Sequence, residues 1–228
     1  MTTMNTQKEY EVLKEERDRN FEISFAPYFI IMMLKEYKDL DLVFENVDLP
    51  ESFVGDFKNI IHRRNYTKYY SWAIPDRKAI QAIINFYESN KINYILEIGA
   101  GFGLWAGMLS IAGVAIKATD IDPTKNLDEF IKEPYADVET LPAVDSVEKY
   151  NDADCLFICW PEYNKSYAAD ALSKFSGKYI VYIGENAGGC TANDEFFDIL
   201  EKDWTCEQTV DIKNWWGIHD RMVFYVRN

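Results

Sequence analysis

An apolar run, Tyr94-Ile95-Leu96-Glu97-Ile98, ends directly in Gly99-Ala100-Gly101-Phe102-Gly103, and this junction constrains the fold more than any other stretch of the chain. Glycines at alternate positions straight after a strand allow a tight turn and let a ligand reach backbone that a Cβ would block. Glu97 closes the run at the C-terminal edge, where open α/β sheets bind their ligands. Asp120 ends the next apolar stretch, Ala115 to Thr119, about twenty residues later, a spacing that suits a carboxylate bonded to ribose hydroxyls.

The flanking pattern predicts alternating helices and strands. Pro75 opens a helix to about Glu88, and Trp105 to Ala112 follows the glycine loop as another. Asp154 to Trp160 and Tyr179 to Ile183 read as buried strands, and Asn193 to Lys202 as a helix. Cys206 to Asn228 offers two strand-like stretches around Trp215-Trp216-Gly217-Ile218-His219. The expected fold is α/β: a Rossmann-like parallel sheet with helices on both faces and a terminal antiparallel strand pair. Residues 74–228 form this domain. Residues 1–73 are expected to form a helical N-terminal extension, helical from about Thr6 to Lys38 with Pro27 in the first turn of a second helix, and again from Asp56 to Tyr70, with a less regular stretch between them.

Two ligand classes fit such a loop. Gly101-Phe102-Gly103-Leu104-Trp105-Ala106 matches the dinucleotide pattern G-x-G-x-x-A, which would make the chain a nicotinamide-dependent oxidoreductase. Starting there leaves two residues between strand and motif and gives Glu97 no role. A carboxylate would also sit near the pyrophosphate, an unfavourable pairing. S-adenosylmethionine carries an ammonium group and no phosphate, so electrostatics favour the methyl donor.

The formal net charge of −14 disfavours nucleic acid and anionic membranes as partners. Arg63, Arg64 and Lys68 come nearest to a basic patch, and they read as a solvated helix face. The four cysteines form no CxxC and only two histidines are present, a poor metal set and the composition of a reduced cytoplasmic protein. Ser24 to Leu34 is apolar but shorter than the roughly 20 residues a bilayer requires.

Ile95 to Gly103 resembles motif I of class I S-adenosylmethionine-dependent methyltransferases. From about Tyr70 to Asn228 the chain is similar to a group of these enzymes in which a segment like Tyr70-Ser71-Trp72-Ala73-Ile74-Pro75 precedes the motif. Segments like Cys159-Trp160-Pro161, Gly184-Glu185, Gly188-Gly189-Cys190-Thr191 and Gly217-Ile218-His219-Asp220-Arg221 follow it. The resemblance implies that Glu97, Gly99, Ala100, Gly101 and Gly103 border the amino acid part of the cofactor. Asp120, with Ile121 beside it, would hold the ribose. Asp137 and Val138 would meet the adenine. Tyr70 and Trp72 would cover the cofactor from the N-terminal side, and Cys159 and Trp160 would complete its site.

Methyl transfer demands alignment, and a base only where the nucleophile must lose a proton. Trp160-Pro161-Glu162-Tyr163 is similar to the (Asp/Asn)-Pro-Pro-Tyr motif of amino-group methyltransferases, but Trp160 and Glu162 depart from it, which puts DNA adenine in doubt as acceptor. Trp160 and Tyr163 are candidates to stack on a flat or cationic acceptor. His219, Glu185 and Glu162 are the candidate bases, His219 first because of its pKa range. The N-terminal helices are expected to serve as a lid or a homodimer contact. A non-catalytic binding module with the same fold is the alternative reading.

Overall fold

The chain's computed structural model describes residues 30–125, 127 and 131–228. The part of the expected helical stretch that spans residues 6–29, with the second helix's first turn at Pro27, lies outside these described residues. Among the described residues seven strands form one sheet: β1 (Ile95–Ile98), β2 (Ile116–Asp120), β3 (Val138–Thr140), β4 (Cys155–Cys159), β5 (Tyr179–Gly184), β6 (Trp204–Asp211) and β7 (Arg221–Arg227). Their order is β3-β2-β1-β4-β5-β7-β6. The first five are parallel, while β7 runs antiparallel to both β5 and β6. This is the Rossmann-like methyltransferase arrangement, with the antiparallel pair at one edge as expected.

Side-chain parity divides each central strand between two cores. Ile95, Cys155, Phe157, Val181 and Ile183 face one layer; Leu96, Ile98, Leu156, Ile158, Ile180 and Tyr182 face the other. Strands buried on both faces carry continuous apolar runs, which is why they are legible in the sequence. The second layer holds α5 (Ala143–Lys149), α6 (Tyr167–Lys174) and α7 (Asp194–Asp203). The first holds α1 (Leu40–Val47), α2 (Ile60–Tyr69), α3 (Arg77–Ser89) and α4 (Leu104–Ile111).

Side-chain caps fix several helix starts. Asp39, Asp76 and Asn193 accept from Leu42, Ala79 and Phe196 backbone N–H groups. The cap at Asp76 moves the start of α3 two residues past Pro75, because Asp76 stays extended and its other oxygen accepts from Lys213 N–H at 2.9 Å. The stretch expected to be less regular contains α1, closed by Asp48. The expected helix from Asp56 begins as a 3-10 turn at Phe57–Asn59 before α2.

The chain leaves the sheet edge at β3 and returns at β4, beside β1. The strand order reverses there, between β1 and β4, the place at which open α/β sheets form a ligand crevice between the loops that follow the two strands. Residues before β1 help to build this region. Ile30, Val43, Phe44, Tyr66 and Ile74 share one core with Ile95, Phe157 and Phe224, and the Tyr66 hydroxyl donates to Val47 O at 2.8 Å. Each such side chain, if uncovered, forfeits about 1.5–3 kcal/mol of burial. A chain starting at residue 74 is therefore expected to lose cooperative thermal unfolding, followed by circular dichroism, and to bind an apolar dye. A sharp transition like that of the whole chain would contradict this.

Candidate functional site

The glycine loop is held in left-handed backbone. Gly99, Gly101 and Gly103 have φ of 67°, 55° and 75°. A Cβ on Gly103 would lie 2.6 Å from Val138 Cγ2, so this glycine serves close packing of α4 on the β3 entry, with Val138 as the wall behind the loop. A Cβ on Gly101 would meet open space. At Gly101 the left-handed conformation, and not lack of space, therefore calls for glycine, and its backbone stays open. The loop is tied to β2 twice: Ala100 N–H donates to Thr119 O at 3.0 Å, and Gly101 N–H donates to Asp120 Oδ2 at 2.9 Å. Asp120 Oδ1 accepts from Asp122 N–H at 2.8 Å. Each carboxylate oxygen keeps acceptor capacity for a ligand hydroxyl.

Glu97 is 2% exposed. Burial pushes its carboxyl up to about 8; the Ala106 backbone N–H opposes this and the Asp120 charge adds to it. Its Oε2 is buried with no hydrogen-bond partner among the described residues. Such an orphan is costly, on the order of 1–3 kcal/mol, and points to a missing donor. Ile121 lies 72% exposed just past Asp120, an apolar surface at the sheet edge. Asp137 is exposed just before β3, and Val138, half-buried, is that strand's first residue.

The other wall begins at β4. The Cys159 thiol is held well above its usual range by burial, then by the nearby Glu97 and Asp220 charges. Trp160 adopts a left-handed φ of 54°, a conformation that costs a non-glycine residue on the order of 1 kcal/mol. Its N–H donates to Ile183 O at 2.8 Å and its indole Nε1–H donates to Asp220 Oδ2 at 2.7 Å. Trp72 stacks on Trp160, centroids 5.1 Å apart and planes at 15°. Tyr70 instead packs in the core at 5% exposure, its ring parallel to that of Tyr135.

Glu185 receives Cys190 N–H on Oε2 and His219 N–H on Oε1, at 2.7 and 2.9 Å. Burial works to raise its pKa, but these two backbone donors hold it below the usual carboxylate range. Glu185 thus braces the Gly188–Thr191 and Gly217–Asp220 loops as a carboxylate. Glu162 and His219 are both exposed. Glu162 pairs with Thr191 across a single bridge, and its N–H donates to the Tyr167 hydroxyl at 3.1 Å.

Three residues that the sequence does not nominate belong to this region. Tyr167 lies behind Gly99, its hydroxyl 3.6 Å from where a Cβ would stand. Asp220 is 3% exposed, with Oδ1 buried and unpartnered among the described residues, and burial lifts it to about 7. Arg63, expected on a solvated face, is half-buried with its guanidinium 5.9 and 5.7 Å from the Trp72 and Trp160 rings. Arg64 and Lys68 lie on the same helix, and Arg64 is exposed. Only the buried environment distinguishes Tyr167, Asp220 and Arg63, and no local spacing announces it.

No family model matches the chain, and no curated protein sequence matches it. Similar solved structures include magnesium protoporphyrin IX methyltransferase from Synechocystis PCC 6803 with bound SAM, at 11% identity, covering 78% of this chain and 97% of that one, TM-score 0.47. The methyltransferase domain of bacterial CtHen1 matches at 11% identity, 66% and 98% coverage, TM-score 0.46. A protein of the NADB-Rossmann superfamily from Streptococcus agalactiae matches at 14% identity, 68% and 70% coverage, TM-score 0.44. Likeness at this level carries no inference about activity, so function has to be read from the site's own geometry.

Because Glu97 is raised in the folded chain, the native state binds a proton that the unfolded state releases as pH climbs through the ordinary carboxylate range. Stability contributed by this group is therefore full at acid pH and lost as pH rises toward about 8. Glu97→Gln is expected to stabilise the ligand-free protein at pH 7 by about 1–3 kcal/mol and to flatten its stability between pH 5 and 8. Urea unfolding across that range checks this; unchanged stability and slope would contradict it.

Proposed function

We propose that the chain is an S-adenosylmethionine-dependent methyltransferase. The observation that carries this reading is Glu97: a buried carboxyl at the end of β1 with one oxygen lacking any donor among the described residues, below a loop of left-handed glycines. An ammonium group is the donor such an oxygen lacks, and its positive charge would return Glu97 to its ionised form. The cofactor supplies a methyl group already activated by its sulfonium.

The chain's own residues bind and orient. Gly101 leaves its backbone open to the amino acid part, Asp120 accepts from ribose hydroxyls, and Ile121 with Val138 offers apolar surface to the adenine. Asp137 accepts from the adenine amino group. Trp72 and Trp160, stacked at the end of β4, shield the crevice from water on the acceptor side. The dinucleotide reading meets two obstacles: a carboxyl where a pyrophosphate would lie, and the antiparallel β7–β6 edge, which it does not predict.

Calorimetric titration with S-adenosylhomocysteine tests the proposal. Saturable binding is expected, weakened about tenfold by Asp120→Asn, which is about 1.4 kcal/mol, with no binding of NAD. No binding at millimolar ligand, or a preference for NAD, would overturn it. Binding without turnover across a broad acceptor screen would favour a non-catalytic module.

A further inference from the structure

Tyr167 opens α6, and side chains at a helix start lean back toward its N-terminal end. Because α6 follows β4, that end lies at the C-terminal edge of the sheet. The Tyr167 hydroxyl stands 3.6 Å from the Cβ position of Gly99, just past β1, and accepts Glu162 N–H at 3.1 Å from the loop after β4. The charges of Asp120, at the end of β2, and of Cys159, at the end of β4, also act on it. One hydroxyl thus sits among the ends of three adjacent strands, between the glycine loop and the loop that carries Glu162.

Burial, the largest effect, raises the Tyr167 pKa to about 12 and keeps its proton in place. That proton has no acceptor among the described residues. A phenol both accepts and donates, so the donating half of its capacity is unused. On the Gly99 side, only this hydroxyl and the edge of its ring come within 4 Å of the Cβ position. Three of the loop's own donors are committed elsewhere: Ala100 N–H to Thr119 O, Gly101 N–H to Asp120 and Gly103 N–H to Ala100 O. The groups that act most strongly on Glu97 and Tyr167 include no cationic side chain. An anion at the end of β1 would therefore find a neutral donor there, the phenol.

A zwitterionic amino acid group carries its ammonium and its carboxylate on the same carbon. With the ammonium at Glu97, the carboxylate also falls near the end of β1 and needs a donor. We propose that Tyr167 is this donor: its hydroxyl bonds the carboxylate of the methyl donor's amino acid part while holding Glu162 N–H, and so couples cofactor binding to the loop after β4. The inference rests on the methyltransferase reading and adds to it a residue that links the two sides of the crevice. The ligand's own ammonium offsets repulsion from Asp120, whose charge is already shared with the Gly101 and Asp122 N–H groups. Hydrogen bonds in such a chain polarise and strengthen one another. The chain continues past Glu162, which pairs with Thr191 next to Cys190, whose N–H Glu185 holds.

Calorimetric titrations of the whole chain and of Tyr167→Phe test this with two ligands: S-adenosylhomocysteine and its decarboxylated analogue, which keeps the ammonium, ribose and adenine. The native chain is expected to bind S-adenosylhomocysteine at least about tenfold tighter than the analogue, as a hydrogen bond to a charged group allows. In Tyr167→Phe that advantage is expected to shrink about tenfold. An unchanged affinity for the analogue shows that the fold and the rest of the site are intact. Hydrogen exchange at the Glu162 amide is expected to slow when S-adenosylhomocysteine binds the native chain, and to slow less with the analogue. A preference undiminished in Tyr167→Phe, an equal loss for both ligands, or equal slowing of exchange by both would overturn the proposal and leave the methyltransferase reading standing. Binding of neither ligand to the native chain would remove that reading and this proposal together.

Discussion

A carboxyl group buried at the end of a central strand, with one oxygen left without a donor, is the constraint on which the rest of this molecule turns. Folding alone gives no reason to place Glu97 there, since an apolar residue would fill the space without loss. The chain tolerates it by keeping the group protonated near neutral pH, with the Ala106 N–H donating to it. Around it, three glycines take left-handed backbone that only glycine adopts freely, and Trp160, beyond them, takes the same conformation with strain. Strain and unsatisfied polarity gathered at one sheet edge mark a binding site better than either does alone.

The crevice has two sides with different chemistry. On the β1–β2 side the acids and glycines suit a cationic, ribose-bearing ligand. On the β4–β7 side Asp220 and Arg63 gather around Trp160. The Cys159 thiol lies near both Glu97 and Asp220, and its suppressed ionisation reflects burial together with those two charges. In-line transfer, as proposed above, requires two molecules bound side by side, one on each of these sides. Glu185 makes the second side rigid by tying two loops through backbone N–H groups, so the loops are positioned before any ligand arrives.

What the sequence discloses follows from how strongly each feature is written locally. β1, β4 and β5 are buried on both faces and read as unbroken apolar runs, and the glycine loop has a fixed spacing. The terminal strand pair is visible for a similar reason, although β6 starts earlier, at Trp204. β3 has three residues with no apolar run, and α5 and α6 are short, at seven and eight residues, so none presents enough period to be seen. Among site residues, Glu97 and Asp120 stand at strand ends and declare themselves. Arg63 reads as solvated because its partners, Trp72 and Trp160, include one that is distant in sequence. Asp220 stands beside His219 without any mark of its own, since only burial distinguishes it. Tyr70 reads as a cover for the cofactor, but its ring serves the core.

The central claim is that Glu97 awaits a cation, and the proton count of binding measures this directly. Calorimetry of S-adenosylhomocysteine binding at pH 7, repeated in buffers of different ionisation enthalpy, gives the protons exchanged. With Glu97 raised to about 8, the account predicts release of nearly one more proton from the native chain than from Glu97→Gln. Equal proton counts for the two proteins would contradict it.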